Sequence, residues 1–262
     1  MGASGNRFLV LNLDNSLTWQ RSLLAAPHVW VDLTHLEGKK SCATPETLVA
    51  IEQALEAHRD VPVCFWGSGE YHYVTLARLR ALRRFVTLVL FDHHPDCAPL
   101  QDGVVTCGNW ARHALALPWV RRVVWVGGKE PELWGFRPHP RLLRVTGWAP
   151  PENFAIWAAR AMPTTAVYIS VDKDVLAPGE VQTTWGAGDL PLAELLRWLR
   201  LLGRHREIVG ADVGGEWALP PGQLVPSLAE WRAIRLNERA NLAIWSTLCE
   251  VVQGNWPLGR AQ

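Results

Sequence analysis

Methionine is nearly absent from this 262-residue chain, with two, and cysteine is sparse, with five at Cys42, Cys64, Cys97, Cys107 and Cys249. An odd number scattered without a Cys-x-x-Cys pair argues against a disulfide framework and against a cysteine-ligated zinc site. Charge of one sign is missing too: the formal net charge of +1 leaves no electrostatic footprint for nucleic acid or an anionic membrane. No apolar run reaches the roughly 18 residues of a membrane span, and Met1 to Gln20 lacks the basic and apolar segments of a signal peptide. The expectation is a cytoplasmic protein acting on a small molecule. Ser/Gly-rich spacers, fixed-period repeats and long charge runs are lacking as well, and the proline pairs near Pro138–Pro140 and at Pro150-Pro151 read as ordinary loops, so one domain over 1–262 is expected.

What is present is apolar bulk. A hydrophobic content of 48% supports a large core and fits one α/β domain better than two small ones. Fifteen tryptophans stand out. Each covers a large area and needs a partner for its indole N–H when buried; core and loop packing is the first reading, and a homo-oligomer interface the second.

Along the chain, strand-type runs alternate with helical patterns. Arg7–Asn12 and Val29–Leu33 read as extended, and Thr44-Pro45-Glu46 opens a helix through Glu56 with a capping threonine and a proline at the first helical position. Val61–Trp66 is a buried strand ending in Gly67-Ser68-Gly69-Glu70-Tyr71-His72, followed by a helix through Leu82. Val86–Phe91 is the next strand, and a helix spans Asn109 to about Leu117. Val123–Val126 and Leu142–Val145 are strands, with a helix from Pro151 to about Ala161. Ala166–Val171, a helix over Leu190–Leu202, a last strand at Ile208–Val213 and a final helix from Ser227 to about Val251 complete the chain. The alternation predicts a parallel sheet between helical layers, with its ligand site at the carboxyl ends of the strands.

Two acidic clusters fall at such ends, about 80 residues apart: Asp92-His93-His94-Pro95-Asp96 and Ser170-Val171-Asp172-Lys173-Asp174. On an extended backbone, side chains two apart share a face. If that geometry persists into the loops, Asp92, His94 and Asp96 converge, and Asp172 and Asp174 match them. Carboxylates at this density repel unless cations neutralise them. Oxygen-rich sets with one or two imidazoles suit harder divalent ions such as manganese, and five ligands suit two ions better than one. His72 joins them as a sixth candidate. The bland alternative, solvated loops with capping residues, loses ground because two clusters occur together. His93 and Lys173 alternate to the opposite face and read as supporting residues.

These motifs resemble those of the arginase family of ureohydrolases, which includes agmatinase and formimidoylglutamase. The first cluster is similar to that family's Asp-x-His-x-Asp motif, the second to its Ser-x-Asp-x-Asp motif, and Gly67–His72 to its Gly-Gly-Asp-His turn. The resemblance spans about Val61 to Glu216. It implies a three-layer αβα fold of the arginase/deacetylase type with a mainly parallel sheet. It also implies two manganese ions, with nickel or cobalt as substitutes, one held by His72, Asp92, Asp96 and Asp172 and the other by Asp92, His94, Asp172 and Asp174. The implied activity is hydrolysis of a linear C–N bond in a guanidino or formimino compound, with Asp96 or Asp174 as a proton shuttle.

The departures are specific. Tyr71 replaces an aspartate beside His72, and Ala177 replaces the aspartate of Leu-Asp-Pro. Cys107-Gly108-Asn109-Trp110-Ala111-Arg112 lacks the shuttle histidine of arginases and agmatinases, His113 being off register. The segment echoes the Ser-Gly-x-x-x-Arg of formimidoylglutamases, so Arg112 and Asn109 are substrate-binding candidates. Glu216 is a candidate for substrate binding and catalysis, one residue further from Asp212 than the family spacing. With Ala98 where arginase has an asparagine, true arginase is disfavoured. Two alternatives stay open: a metal-binding member without turnover, and a single-zinc deacetylase.

Overall fold

The computed structural model describes residues 7–252, apart from 101–102, 129–137, 146 and 224. Ten strands are described: Phe8–Asn12 (β1), His28–Asp32 (β2), Cys42–Ala43 (β3), Val63–Phe65 (β4), Val86–Asp92 (β5), Val105–Thr106 (β6), Val120–Gly127 (β7), Leu142–Val145 (β8), Ala166–Asp172 (β9) and Glu207–Gly214 (β10). The helices are Arg21–Leu24 (α1), Pro45–Glu56 (α2), Val74–Leu82 (α3), Trp110–Ala116 (α4), Phe154–Ala161 (α5), Leu192–His205 (α6) and Leu228–Val251 (α7).

Eight strands form one sheet in the order β2-β1-β4-β10-β9-β5-β7-β8, and every pairing in it is parallel. Its inner strands are near-continuous apolar runs because helices cover both faces. Along β5, Leu88 and Leu90 pack into one core with α2, α3 and α4, while Val89 and Phe91 pack into another with α5, α6 and α7. This is the fold type that the alternation of elements and the two motifs predict.

The pieces the pattern does not reveal are short. Helix α1 has four residues, and β3 and β6 have two each, pairing antiparallel through Cys42 with Thr106 and Ala43 with Val105. Neither length gives a period to read. The helix expected at Pro151 begins instead at Phe154.

Helix α7, 24 residues long, starts with reciprocal caps: the Ser227 side chain accepts from the Glu230 N–H, and the Glu230 carboxylate accepts from the Ser227 N–H. Ser227→Ala should lower stability by about 1 kcal/mol, read as an earlier urea midpoint at unchanged slope. An unmoved midpoint would mean that packing alone sets this helix end.

The order of strands creates the site. After β4 the chain skips two positions before laying down β5, and β9 and β10 later fill the gap. The carboxyl ends of β5 and β9 thus lie side by side at the centre of the sheet, with Phe91 beside Val171. The turn after β4 opens on the same edge. No helix among the described residues is long and apolar enough to cross a membrane.

Candidate metal centre

Both acidic motifs use one local device. Strand β5 ends at Asp92, whose Oδ1 accepts from the His94 N–H (2.6 Å); β9 ends at Asp172, whose Oδ1 accepts from the Asp174 N–H (3.1 Å). The extended geometry expected to carry through the loops therefore does not persist. The backbone turns back on its own aspartate, as short acidic side chains favour, and this turn aims the residue two positions on into the same space. Asp96 lies beyond the turn at φ 44°, a conformation most side chains avoid. The indole N–H of Trp110 holds its Oδ2 at 2.6 Å.

The side chains converge. His72, Asp92 and Asp172 form one group of buried ligand atoms within 4.8 Å of one another, and Asp92, His94 and Asp174 form a second, with Asp92 common to both. His72 Nδ1 stands 3.1 Å from Asp92, 3.0 Å from Asp96 and 3.6 Å from Asp172. His94 Nδ1 is 2.8 Å from Asp174 and 3.5 Å from Asp92. His72 Nδ1, Asp92 Oδ2 and Asp174 Oδ2 are buried without a hydrogen-bond partner. Such groups are costly unless something satisfies them, and a cation between them does so.

The electrostatics point the same way. Burial, then Asp174 and Asp92, raise the Asp172 pKa well above the usual carboxylate range; burial and Asp92 raise that of Asp174. Burial opposes the His72 imidazolium, but the carboxylates of Asp92 and Asp96 outweigh it and lift the ring well above its ordinary value. Burial likewise opposes a charge on His94, and Asp174 and Asp92 raise it to about 11. The cavity demands positive charge. Oxygen and imidazole donors at this spacing fit hard or borderline divalent ions, so the residues present suit a metal pair.

Behind the ligands lies a buried polar hub that the motifs do not reveal. Asp212 on β10 accepts from Trp66 Nε1 (3.1 Å), Thr75 Oγ1 (3.0 Å), Ser170 Oγ (2.7 Å) and Tyr168 OH (2.7 Å). With its proton given to Asp212, Ser170 accepts from His72 Nε2 at 2.9 Å, which fixes the ring with Nδ1 facing the carboxylates. Trp66 stacks on the His72 ring at 4.8 Å, Trp110 flanks it at 4.6 Å, and Trp125 Nε1 donates to the Asp92 carbonyl (2.9 Å). Part of the tryptophan excess thus frames the site, and its only trace in the sequence is that excess.

Three expected substrate-binding residues lie elsewhere. Glu216 does not line the pocket: it is buried against Lys173, with Oε1 also accepting from Asn241 (2.7 Å) and Oε2 from Gln20 (2.6 Å). The chain turns it inward at the left-handed Gly215 (φ 81°). A Cβ on Gly215 would lie 2.1 Å from Asp172 Oδ1, so this close approach requires glycine. Asn109 braces its own loop, accepting from Thr106 N (2.8 Å) and donating to the Val104 carbonyl (3.3 Å). Arg112 Nε donates to the Cys97 carbonyl (3.2 Å). Among the described residues, the pocket above the candidate metal ligands is lined instead by Gly69, Ala98, Cys107, Gly108 and Trp185.

No established family profile matches the chain. It is 30% identical over 239 residues to an uncharacterized protein of Thermotoga maritima, covering 89% of this chain and 86% of that one. Among solved structures, it is similar to the proclavaminate amidino hydrolase of Streptomyces clavuligerus (TM-score 0.64, 17% identity, 92% of each chain). The agmatine ureohydrolase of Thermoplasma volcanium gives a TM-score of 0.60 at 14% identity, over 94% of this chain and 91% of that one. The formimidoylglutamase of Bacillus subtilis gives 0.60 at 15%, over 91% and 87%. The chain belongs to one family with the Thermotoga maritima protein and shares its fold with the ureohydrolase structures named above.

Proposed function

We propose that this protein is a hydrolase that cleaves a linear C–N bond of a guanidino or formimino compound, using two divalent ions. The observation that carries the reading is the pair of buried donor groups sharing Asp92, with three orphaned donor atoms aimed between them. His72, Asp92, Asp96 and Asp172 would hold one ion, and Asp92, His94, Asp172 and Asp174 the other. Manganese is the first choice, and nickel and cobalt suit the same donors. Two such ions supply Lewis acidity and lower the pKa of a water. The chain's own residues fix the geometry and move the proton. Asp96 is the most exposed of the four carboxylates, at 7% against 1–3%, so it takes the proton released on attack and returns it to the leaving nitrogen.

Elemental analysis beside an ammonia and urea release assay tests this reading. Two equivalents of manganese with product from a guanidino or formimino compound support it. Two equivalents without product favour a metal-binding member without turnover, for which the inward Glu216 is the specific observation. One zinc per chain would indicate the deacetylase, against which the complete second donor group speaks. Ser170→Ala should weaken metal binding about 10–100-fold by releasing the His72 ring, measured by chelator competition; unchanged affinity would remove Ser170 from the site's support.

A further inference from the structure

Trp185 is a large aromatic side chain left 40% exposed at the mouth of the metal pocket. Exposed indoles on a mobile loop need no explanation, but this loop is tied down. Asn237, buried in α7, accepts from the Gln182 N–H (3.0 Å) and donates to the Gln182 carbonyl (2.8 Å). Thr184 Oγ1 donates to the Glu216 carbonyl (3.2 Å), Thr183 Oγ1 donates to the Gly186 carbonyl (2.7 Å) and accepts from the Trp185 N–H (3.1 Å), and the Gly188 N–H donates to the Asp174 carbonyl. The indole is thus held over the ligands, with its ring 6.1 Å from that of His94. A Cβ at Gly69 would lie 2.8 Å from Trp185 Cδ1 and 3.0 Å from Asp172 Oδ2, so glycine there lets the indole and the metal ligand approach each other.

The rest of the wall is uncharged. Beyond the candidate metal ligands the described lining is Gly69, Ala98, Cys107, Gly108 and Trp185. Among the described lining residues no guanidinium, ammonium or spare carboxylate faces the tail of a bound molecule, Glu216, Asn109 and Arg112 being held as described above. We infer that Trp185 and this apolar wall select guanidines or amidines with a short uncharged tail, the indole face lying against the planar cation. The inference rests on the proposed hydrolase site for its location. An aromatic face contributes to cation binding in a partly desolvated site, whereas a charged tail would be stripped of water with no partner among the described lining residues.

The test is calorimetric titration of the manganese-loaded full chain with n-butylguanidine, agmatine, guanidinobutyrate and arginine, repeated with Trp185→Ala and Trp185→Phe. Butylguanidine is expected to bind at least about tenfold more tightly than any charged-tail analogue. Trp185→Ala should lose about tenfold of that affinity and Trp185→Phe should keep most of it. Charged-tail compounds binding as well or better, equal affinity in Trp185→Ala, or no binding by any compound would each overturn the inference. Butylguanidine bound in this pattern but never hydrolysed would leave it standing and remove the hydrolase reading instead.

Discussion

Asp172→Ala is expected to strip both metal equivalents from the protein and to lower any hydrolysis by more than about a hundredfold, the most that losing a mere supporting partner costs. Two losses coincide. The carboxylate of the first donor group goes, and so does the acceptor for the Asp174 N–H (3.1 Å), which aims Asp174 at His94 in the second group. The fold itself should survive, because Asp172 is ionised only against burial and two neighbouring carboxylates. Asp172→Asn separates the two contributions: its amide oxygen still accepts from the Asp174 N–H, so the turn is kept while the charge is lost. Metal content by elemental analysis, with circular dichroism as the folding control, gives the answer. If a folded Asp172→Ala chain retained two ions, this ligand assignment would be wrong.

Lys173→Met should be among the most damaging single changes to stability. Lys173 sits between two candidate metal ligands in sequence yet points away from them, fully buried, onto Glu216. Breaking a buried ion pair from one side leaves an uncompensated charge and costs about 3–5 kcal/mol, a fall in midpoint temperature of roughly 10 °C for a chain of this size. Gln20 and Asn241 would still bond the Glu216 carboxylate but supply no positive charge. Glu216→Gln should also destabilise, and the double variant Lys173→Met/Glu216→Gln should recover much of the loss, since a neutral pair needs no counter-charge. Thermal unfolding of the three variants makes the comparison. A Glu216→Gln protein as stable as the parent but weakened in substrate binding would restore Glu216 to the pocket; a Lys173→Met protein within about 1 kcal/mol of the parent would remove the pair from the fold's support.

The acidic clusters were legible in the sequence because each is short, local and attached to a strand whose unbroken apolar run marks it as central. Asp92, His94, Asp172 and Asp174 follow from that, and His72 from the glycine-flanked turn after β4. The alternation of elements likewise indicated a parallel sheet, since parallel neighbours need a crossover of a dozen or more residues, usually a helix.

The turns after β5 and β9 are local as well: they aim the candidate ligands through hydrogen bonds two residues back, to Asp92 and Asp172, where extended alternation was expected. Tertiary structure decided the rest. Glu216, a substrate candidate from the sequence, is turned at the left-handed Gly215 into an ion pair with Lys173. The Asp212 hub joins β4, α3, β9 and β10, and Trp185 reaches the pocket through a loop pinned to α7. Such contacts bring together residues far apart in the chain, whose partners depend on sheet order and packing, and no local period or spacing records them.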